Sequence, residues 1–415
     1  MRPWHIGGLV RTSYDLDLGP VGAFLPARVP VLDLPPALDQ FVLACAELPN
    51  RYPADRGGVR DWLDREFQCD HPDARRAMSR LDRAQADALL TILCVLGHTY
   101  RWDSVPPAPE RFAERLIALP PGIAGPWSRL ARAAGQPRVG SAWTLHLTNW
   151  KVTDRPGGSA YRPEELTAAT LRIAHTWLGP PVDEQMERFS LAFVLMEALG
   201  TRVLGTMVET IECAVAREVD DTQAGLQRLH EAVAAMTLGF SRSVRKRTVD
   251  PATWLELIQP TFAWAAHAED ATRVEGGPSG MQLGIVQALD SALGVRGRSP
   301  LAQLAGLARR SMPKPHRRFL STLDVAGPAL RAFVAETGCR ELTNQFDSCV
   351  AALCSFRGTH RARGALYLRD RPAAEAPRAS TGMTIGVHDD PVVTFERSMN
   401  ERIAETQAAR FRSAG

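Results

Sequence analysis

The fold is decided by residues 184–216, EQMERFSLAFVLMEALGTRVLGTMVETIECAVA. Apolar side chains recur along this stretch at steps of three and four: Met186, Phe189, Phe193, Met196, Leu199 and Val203. A period near 3.6 residues is typical of an amphipathic helix. The same period occurs in six further stretches: 36–48, 82–100, 221–241, 284–295, 300–310 and 341–368. Because no stretch alternates persistently between apolar and polar residues, the sequence predicts an all-α fold, with short strands or turns at most in the first third.

Segments rich in proline and glycine, which interrupt helices, divide the chain into unequal parts. The 415 residues are 45% hydrophobic and 23% charged, which is an ordinary globular composition. At about 150 residues per domain, two or three domains are expected. The stretch DRPGGSAYRP (154–163) is interpreted as a connector. We therefore expect a small N-terminal helical domain with its connector over 1–160, a larger helical domain over 161–400, and a C-terminal tail over 401–415.

Charge and hydropathy restrict the cellular location and the binding partners that are expected for the chain. No run of about 18 apolar residues occurs, and the first residues lack the basic and apolar segments of a signal peptide. These features predict a cytoplasmic protein without a membrane partner. The 49 basic and 46 acidic residues give a net charge of +3. The basic residues, nearly all arginine, are spread among the acidic ones, so no nucleic-acid partner is indicated.

The spacing of cysteine and histidine excludes the short metal-binding motifs. The seven cysteines form no C-x-x-C pair, and no two of the ten histidines are close enough for H-E-x-x-H. Nucleotide-binding glycine loops and the G-x-S-x-G elbow of hydrolases are absent as well. Any cofactor must therefore be held by single ligands that lie far apart in the sequence.

One histidine lies where a cofactor ligand would be expected. In NQFDSCVAALCSFRGTHRARGALY (344–367), an apolar stripe leads onto His360. Gly364 lies one turn later, where a missing side chain would let a flat cofactor approach, and Arg357 lies one turn earlier. This pattern suits a proximal haem ligand with a cation near the macrocycle edge. Spacing alone favours a histidine that is part of the core, and periodicity does not decide between the two.

Several longer motifs carry a family resemblance. They are YDLDLGPVGAFLP (14–26), LTNWK (147–151), EGGPSGMQLGIVQALDSALGV (275–295), SMPKPHRRFLSTL (311–323), AFV (332–334) and FDSCVAALCSFRGTH (346–360). Together they resemble the indoleamine 2,3-dioxygenase family over nearly the whole chain. The resemblance implies haem b in the larger domain, O2 as co-substrate and a small indole as substrate. It also implies oxidative cleavage of the indole C2–C3 bond of tryptophan or a tryptophan-derived indole, giving an N-formylkynurenine-type product.

The resemblance assigns roles to individual residues. It makes His360 the proximal iron ligand and pairs Arg357 with Asp290 beside the haem. On the distal side it implies pocket roles for Phe189, Ser279 and Gly280. It assigns the substrate side to Trp254 and to the Ser380-Thr381-Gly382 turn, where Thr381 and Gly382 belong to a loop that closes over the substrate.

Three positions depart from the family pattern. Phe193 replaces a serine, so a hydroxyl contact is lost, and Gln259 in WLELIQP (254–260) replaces the arginine that binds the substrate carboxylate. His146 lies at a distal position that is apolar in the mammalian enzymes. In this respect the chain resembles the haem enzyme of pyrrolnitrin biosynthesis, although His146 also suits a core position. Arg188 is a possible substitute for the missing arginine.

Two other functions stay open at this point. One is a pyrrolnitrin-type enzyme that rearranges or oxidises a tryptophan derivative in secondary metabolism. The other is a haem-binding sensor without turnover, since an all-α scaffold with one axial histidine serves either role. The sequence assigns no reductant, no oligomeric state and no pathway.

Overall fold

The chain folds into a bundle of helices. A computed structural model describes residues 24–53, 58–108, 110, 111, 114, 117–243, 245–267, 274–369 and 390–411. These residues are predominantly helical, which confirms the predicted all-α class. The main helices are α1 (Asp39–Arg51), α2 (Val59–Glu66), α3 (Pro72–Met78), α4 (Arg83–Trp102), α5 (Pro121–Ala134), α6 (Val182–Ala216), α7 (Val219–Ser243), α8 (Gly284–Ala292), α9 (Pro300–Ala308), α10 (Lys314–Thr337), α11 (Arg340–Leu368) and α12 (Pro391–Gln407).

Helix α6 is the central element, as its sequence pattern predicts. Asp183 and Glu184 lie in its first turn, where negative charge interacts favourably with the helix dipole. The helix ends at Arg217, whose backbone takes the left-handed conformation with φ 65°. Its buried face packs against α7, α8 and α10, while α11 packs against α7 and α12. The helix with the candidate ligand His360 is thus joined to α6 through α7.

Two hydrophobic cores stabilise the fold. The larger core joins α6, α7, α8, α10 and α11. The smaller core joins helices α1 to α5 and also takes in Phe262, Trp264 and Tyr367, which lie far later in the chain. Helix α12 continues across residue 400, and its Arg402 and Thr406 are buried against the rest of the fold. The division into domains at 160 and 400 stays a prediction.

Short antiparallel strand pairs interrupt the helices. Strand β1 (Trp150–Val152) pairs with β2 (Leu171–Ile173), and β3 (Ala265–His267) pairs with β4 (Val274–Gly276). The expectation that strands would be confined to the first third is therefore wrong. With three residues each, these strands are too short for an alternating pattern to be visible in the sequence.

Helix α6 also has the length and the hydropathy of a membrane span, although the sequence predicts no such segment. It is the one helix of this kind in the described part of the chain. Of its most apolar 18-residue window, 67% is buried inside the fold. A core helix that packs on several neighbours shows this combination of hydropathy and burial.

A buried glutamic acid ties α6 to the start of α8. The Glu197 side chain is fully buried, and its Oε1 accepts hydrogen bonds from the backbone N–H of Gly284 at 2.6 Å and of Ile285 at 3.4 Å. Leu283, at the N-cap of α8, makes no side-chain capping hydrogen bond. Glu197 therefore satisfies N–H groups that otherwise lack a partner at a helix start. Burial raises the pKa of Glu197 to about 8.

We predict that the contribution of Glu197 to the stability of the folded state decreases as the pH rises. Its folded pKa of about 8 lies above 4.5, the ordinary value for glutamic acid. Between these values the folded chain holds a proton that the unfolded chain has released, so the stabilisation declines with pH. Thermal unfolding of the wild type and of E197Q between about pH 5.5 and pH 8.5 measures this effect. The wild type should lose stability relative to E197Q, and parallel curves would contradict the prediction.

Candidate functional site

His360 lies on α11 between two phenylalanine rings. Its imidazole meets the edges of Phe240 and Phe395 at ring-centroid distances of 5.9 and 6.0 Å. Neither ring nitrogen makes a hydrogen bond within the described residues, and the side chain is half-buried. Burial, together with the charge of Arg357, lowers the pKa of His360 to about 4. The imidazole is therefore neutral near pH 7, which is the form that binds a metal.

A network of buried charges holds the helix of His360 in place. Arg357 Nη2 donates to Asp290 Oδ1 on α8 at 2.5 Å, as the family resemblance implies. Arg402 Nη2 on α12 donates to the other Asp290 oxygen at 2.6 Å. Arg402 Nη1 also donates to Glu405 at 2.9 Å, and Arg357 donates to Thr406. Three helices thus meet at one carboxylate.

A π-helical turn positions His146. This turn, Trp143–Leu147, is wholly buried. The Thr148 hydroxyl donates to the Trp143 carbonyl at 2.8 Å, and the Trp150 indole N–H donates to the Leu147 carbonyl at 2.7 Å. The LTNWK motif therefore closes the turn that carries His146. Turns of this kind occur frequently at functional sites.

His146 belongs to an aromatic cluster formed with α6. Its ring stacks on Phe193 at 4.1 Å and lies 4.9 Å from Phe262 and 5.9 Å from Phe189. Burial lowers the pKa of His146 to about 3, with a smaller effect from His98. Within the described residues, His146 Nδ1 is buried without a hydrogen-bond partner. A ring nitrogen in this condition is free to hydrogen-bond a bound molecule.

A second π-helical turn, Trp254–Ile258, carries Trp254 to the same cluster. The Trp254 ring meets Phe189 at 5.9 Å and Tyr367 at 5.5 Å. Its Nε1 is buried and, among the described residues, has no hydrogen-bond partner. Tyr367 lies about two helical turns beyond His360 on α11. The aromatic cluster is therefore in contact with the helix of the candidate ligand.

The predicted turn at Ser279 and Gly280 has a simple local cause. Ser279 Oγ accepts the Met281 N–H at 3.2 Å and so begins the short 3-10 helix Gly280–Gln282. A Cβ atom built on Gly280 would meet no heavy atom within 4 Å. Gly280 thus borders open space, and its pocket role stays a prediction.

The structure brings most of the predicted residues together in two groups. His146, Phe189, Phe193 and Trp254 form the aromatic cluster. Arg357 and Asp290 form the ion pair beside His360. Gln259 begins the helical segment Gln259–Phe262 and is buried. Thr381 and Gly382 lie outside the described residues.

Two candidate residues lie apart from these groups. A Cβ atom on Gly364 would lie 2.4 Å from the Phe395 ring, so α12 occupies the space beside this glycine. The Arg188 side chain is exposed, pairs with Glu184 and donates to the Thr248 carbonyl at 3.4 Å. Arg188 is thus held at the surface and does not join the aromatic cluster.

Several residues of the site are not predicted from the sequence. Phe240, Phe262, Phe395 and Arg402 all contact the groups described above. The sequence could have indicated Arg402. It lies on the buried stripe of α12 with Met399, and a charge on such a stripe needs a partner. For the three phenylalanines, the sequence offers no indication beyond their apolar character.

Comparison with known proteins identifies the family. The family model described as indoleamine 2,3-dioxygenase matches residues 12–409. The chain belongs to the indoleamine 2,3-dioxygenase family. Indoleamine 2,3-dioxygenase 1 of Mus musculus is 27% identical over 375 residues, which cover 86% of this chain and 84% of that protein. Indoleamine 2,3-dioxygenase of Saccharomyces cerevisiae is 26% identical over 322 residues, covering 72% and 65%.

The residues present fit the cofactor of the indoleamine 2,3-dioxygenase family. Members of this family are haem dioxygenases that use O2 as co-substrate, and this chain is an enzyme of that class. In the described part of the chain, no group of three or more His, Cys, Asp or Glu side chains could hold a metal ion. Haem needs one protein ligand, since the porphyrin supplies the others. The neutral, unbonded imidazole of His360 meets that need.

We predict that breaking the Asp290 network destabilises the chain strongly. R402M removes the guanidinium that binds both Asp290 and Glu405, while Arg357 still binds Asp290, so it should cost about 3 kcal/mol of unfolding free energy, the low end for a broken buried ion pair. In the exposed pair of Arg217 and Glu336, which are 66% and 58% accessible, E336Q is the control and should cost less than about 1 kcal/mol. Urea unfolding of both variants measures the difference. Equal losses would show that the network contributes no more than a surface pair.

Proposed function

We propose that this chain is a haem-dependent dioxygenase that cleaves the indole C2–C3 bond of tryptophan or a tryptophan-derived indole, giving an N-formylkynurenine-type product. The observation that carries the proposal is the pairing of a neutral, unbonded His360 on α11 with an aromatic cluster in contact with the same helix. Haem, when bound, supplies the activation of O2 that this reaction requires. His360 holds it, and the Arg357–Asp290 pair keeps α11 in place.

The aromatic cluster binds and orients the indole. Phe189 offers a ring to stack against, and it meets Phe193, Phe262 and Trp254 at centroid distances of 5.6 to 6.0 Å. Such a wall excludes water and favours a flat apolar substrate. His146 is too weak a base at a pKa of about 3 to remove a proton. It serves instead as a neutral hydrogen-bond partner for the substrate.

The His146–Phe193 stack replaces the polar contact that the family serine provides. Phe193 occupies the serine position and has no hydrogen-bonding group. The ring in direct contact with it, at 4.1 Å, is that of His146, whose Nδ1 is free of partners among the described residues. The hydrogen-bonding function therefore moves from α6 to the adjacent π-helical turn.

The substrate of this enzyme carries no free carboxylate, in our proposal. Gln259 replaces the family arginine, and Arg188 is held at the surface by Glu184. A carboxylate buried without a cation is costly, whereas an ester or amide has no net charge to desolvate. We therefore infer a preference for neutral indoles or for tryptophan with a capped carboxylate.

A substrate panel tests this function. The reduced haem protein is given O2 with L-tryptophan, its methyl ester, its amide and indole, and the products are identified by mass. Addition of two oxygen atoms to an indole supports the proposal, and the capped or neutral compounds should react with higher kcat/KM than L-tryptophan. Micromolar KM for free L-tryptophan with inert ester and amide would contradict the substrate preference. A haem sensor would leave every indole unchanged.

We predict that Q259R restores selectivity for L-tryptophan. A charge-assisted hydrogen bond to the carboxylate contributes about 1.5–3 kcal/mol, which corresponds to roughly 10- to 100-fold in kcat/KM. Q259M is the matched control, because it changes the same side chain without adding charge. If Q259M and Q259R shift selectivity equally, the effect is one of shape and the charge argument fails.

A rearrangement of a tryptophan derivative is the second candidate. The observation in its favour is His146, which the chain shares in position with the haem enzyme of pyrrolnitrin biosynthesis that it resembles. The same panel separates the two reactions, since a rearranged, decarboxylated product does not gain two oxygen atoms.

We predict that H360G abolishes the Soret band of the bound haem and that added imidazole restores it. The free ligand replaces the side chain that ligates iron. H230Q is the control, because His230 on α7 is half-buried and hydrogen-bonds the Ser348 carbonyl through Nδ1 at 3.1 Å. Absorption spectra of the reconstituted proteins measure the outcome. An unchanged Soret band in H360G would assign the ligand elsewhere.

A further inference from the structure

Glu197 lies between the two groups of residues that form the site. It follows Phe193 by four residues on α6, so both lie on neighbouring positions of one helix face. Its Oε1 accepts the first N–H groups of α8, at 2.6 and 3.4 Å. Six residues further along α8, Asp290 binds Arg357 and Arg402. A single short helix thus separates Glu197 from the network beside His360.

We propose that Glu197 is a positioning residue for the haem pocket, because it fixes α8, and with it the Asp290 network of the proximal side, against the helix of the distal aromatic wall. The inference rests on the proposed ligation of haem by His360. Over six residues α8 rises about 9 Å, and a helix of that length transmits a displacement of its start to its end with little bending. A shift of the start of α8 therefore moves Asp290 relative to Arg357.

The geometry of Glu197 exceeds what a local cap needs. A capping side chain usually comes from the residue that precedes the helix, but Leu283 offers none, and the acceptor comes instead from a helix 87 positions away. The second oxygen, Oε2, is buried without a partner among the described residues. An unpartnered buried carboxyl oxygen is costly. This cost is explained if the role of Glu197 is to set the position of α8.

The inference concerns hydrogen bonding, and the variants separate this from charge and size. E197Q keeps an acceptor oxygen at the Oε1 position and the same shape. E197L removes the acceptor. E197D keeps the carboxyl group but places it one methylene further from α8, which provides a milder change if E197L folds poorly. E187L is the matched control on α6, since Glu187 accepts a backbone N–H from Ile173 at 2.9 Å and, among the described residues, makes no hydrogen bond to α8.

The first experiment measures hydrogen–deuterium exchange in the apoprotein, so it needs no haem and no turnover. A purely local cap would speed exchange only at residues 284–287. We expect E197L and E197D to speed exchange about tenfold at the start of α8 and also over 355–362 on α11, whereas E197Q and E187L leave both segments unchanged. Faster exchange confined to the start of α8 would overturn the inference.

The second experiment is a double-mutant cycle on the rate of haem loss to an acceptor protein. E197L and R402M should each speed haem loss by about 10-fold, as substitutions around a metal ligand do. Because both act through α8, the double variant should be close to the worse single variant rather than about 100-fold faster. A fully additive double variant would overturn the inference. If H360G also leaves haem loss unchanged, the proposed ligation has failed, which is a separate outcome.

Discussion

The carboxylate of Asp290 binds two guanidinium groups at once, and the proximal half of the site depends on this contact. One oxygen binds Arg357 on α11 and the other binds Arg402 on α12. Each partner is nearly buried, with 5% and 9% of the side chain accessible, so neither charge can be left alone. The position of His360 is therefore set less by its own contacts, which are two aromatic edges, than by the pairing of Arg357 one turn earlier on the same helix.

The distal half of the site depends on packing rather than charge. His146 has no ion pair within the described residues, and it is held by Phe193, Phe262 and the closed π-helical turn. Two such turns deliver His146 and Trp254 to the cluster from separate parts of the chain. A π turn rotates its side chains out of the ordinary helical register, so ring nitrogens can end up in an apolar interior without backbone partners. His146 Nδ1 and Trp254 Nε1 are thereby available to a bound ligand.

The sequence alone could predict the long elements and the family-specific pair. Helices α6 and α11 are long enough for their apolar period to be unmistakable, and Arg357 lies one turn before His360 on the same helix. Contacts across the chain could not be predicted in this way. Arg402 meets Asp290 across 112 positions, and Phe395 fills the space at Gly364, which the sequence suggested for a cofactor. The three-residue strands and the π turns are too short to leave a periodic signal.

The buried imidazoles of this enzyme are neutral, and this bears on the role proposed for Gln259. Burial lowers the pKa of the imidazoles of His98, His146, His316 and His360 to about 3 or 4, so each is neutral near pH 7. A cation at position 259 would need a counter-charge in such surroundings whenever the substrate is absent. In the proposed function, Gln259 avoids that requirement, and selectivity depends on aromatic shape and on hydrogen bonds between uncharged groups.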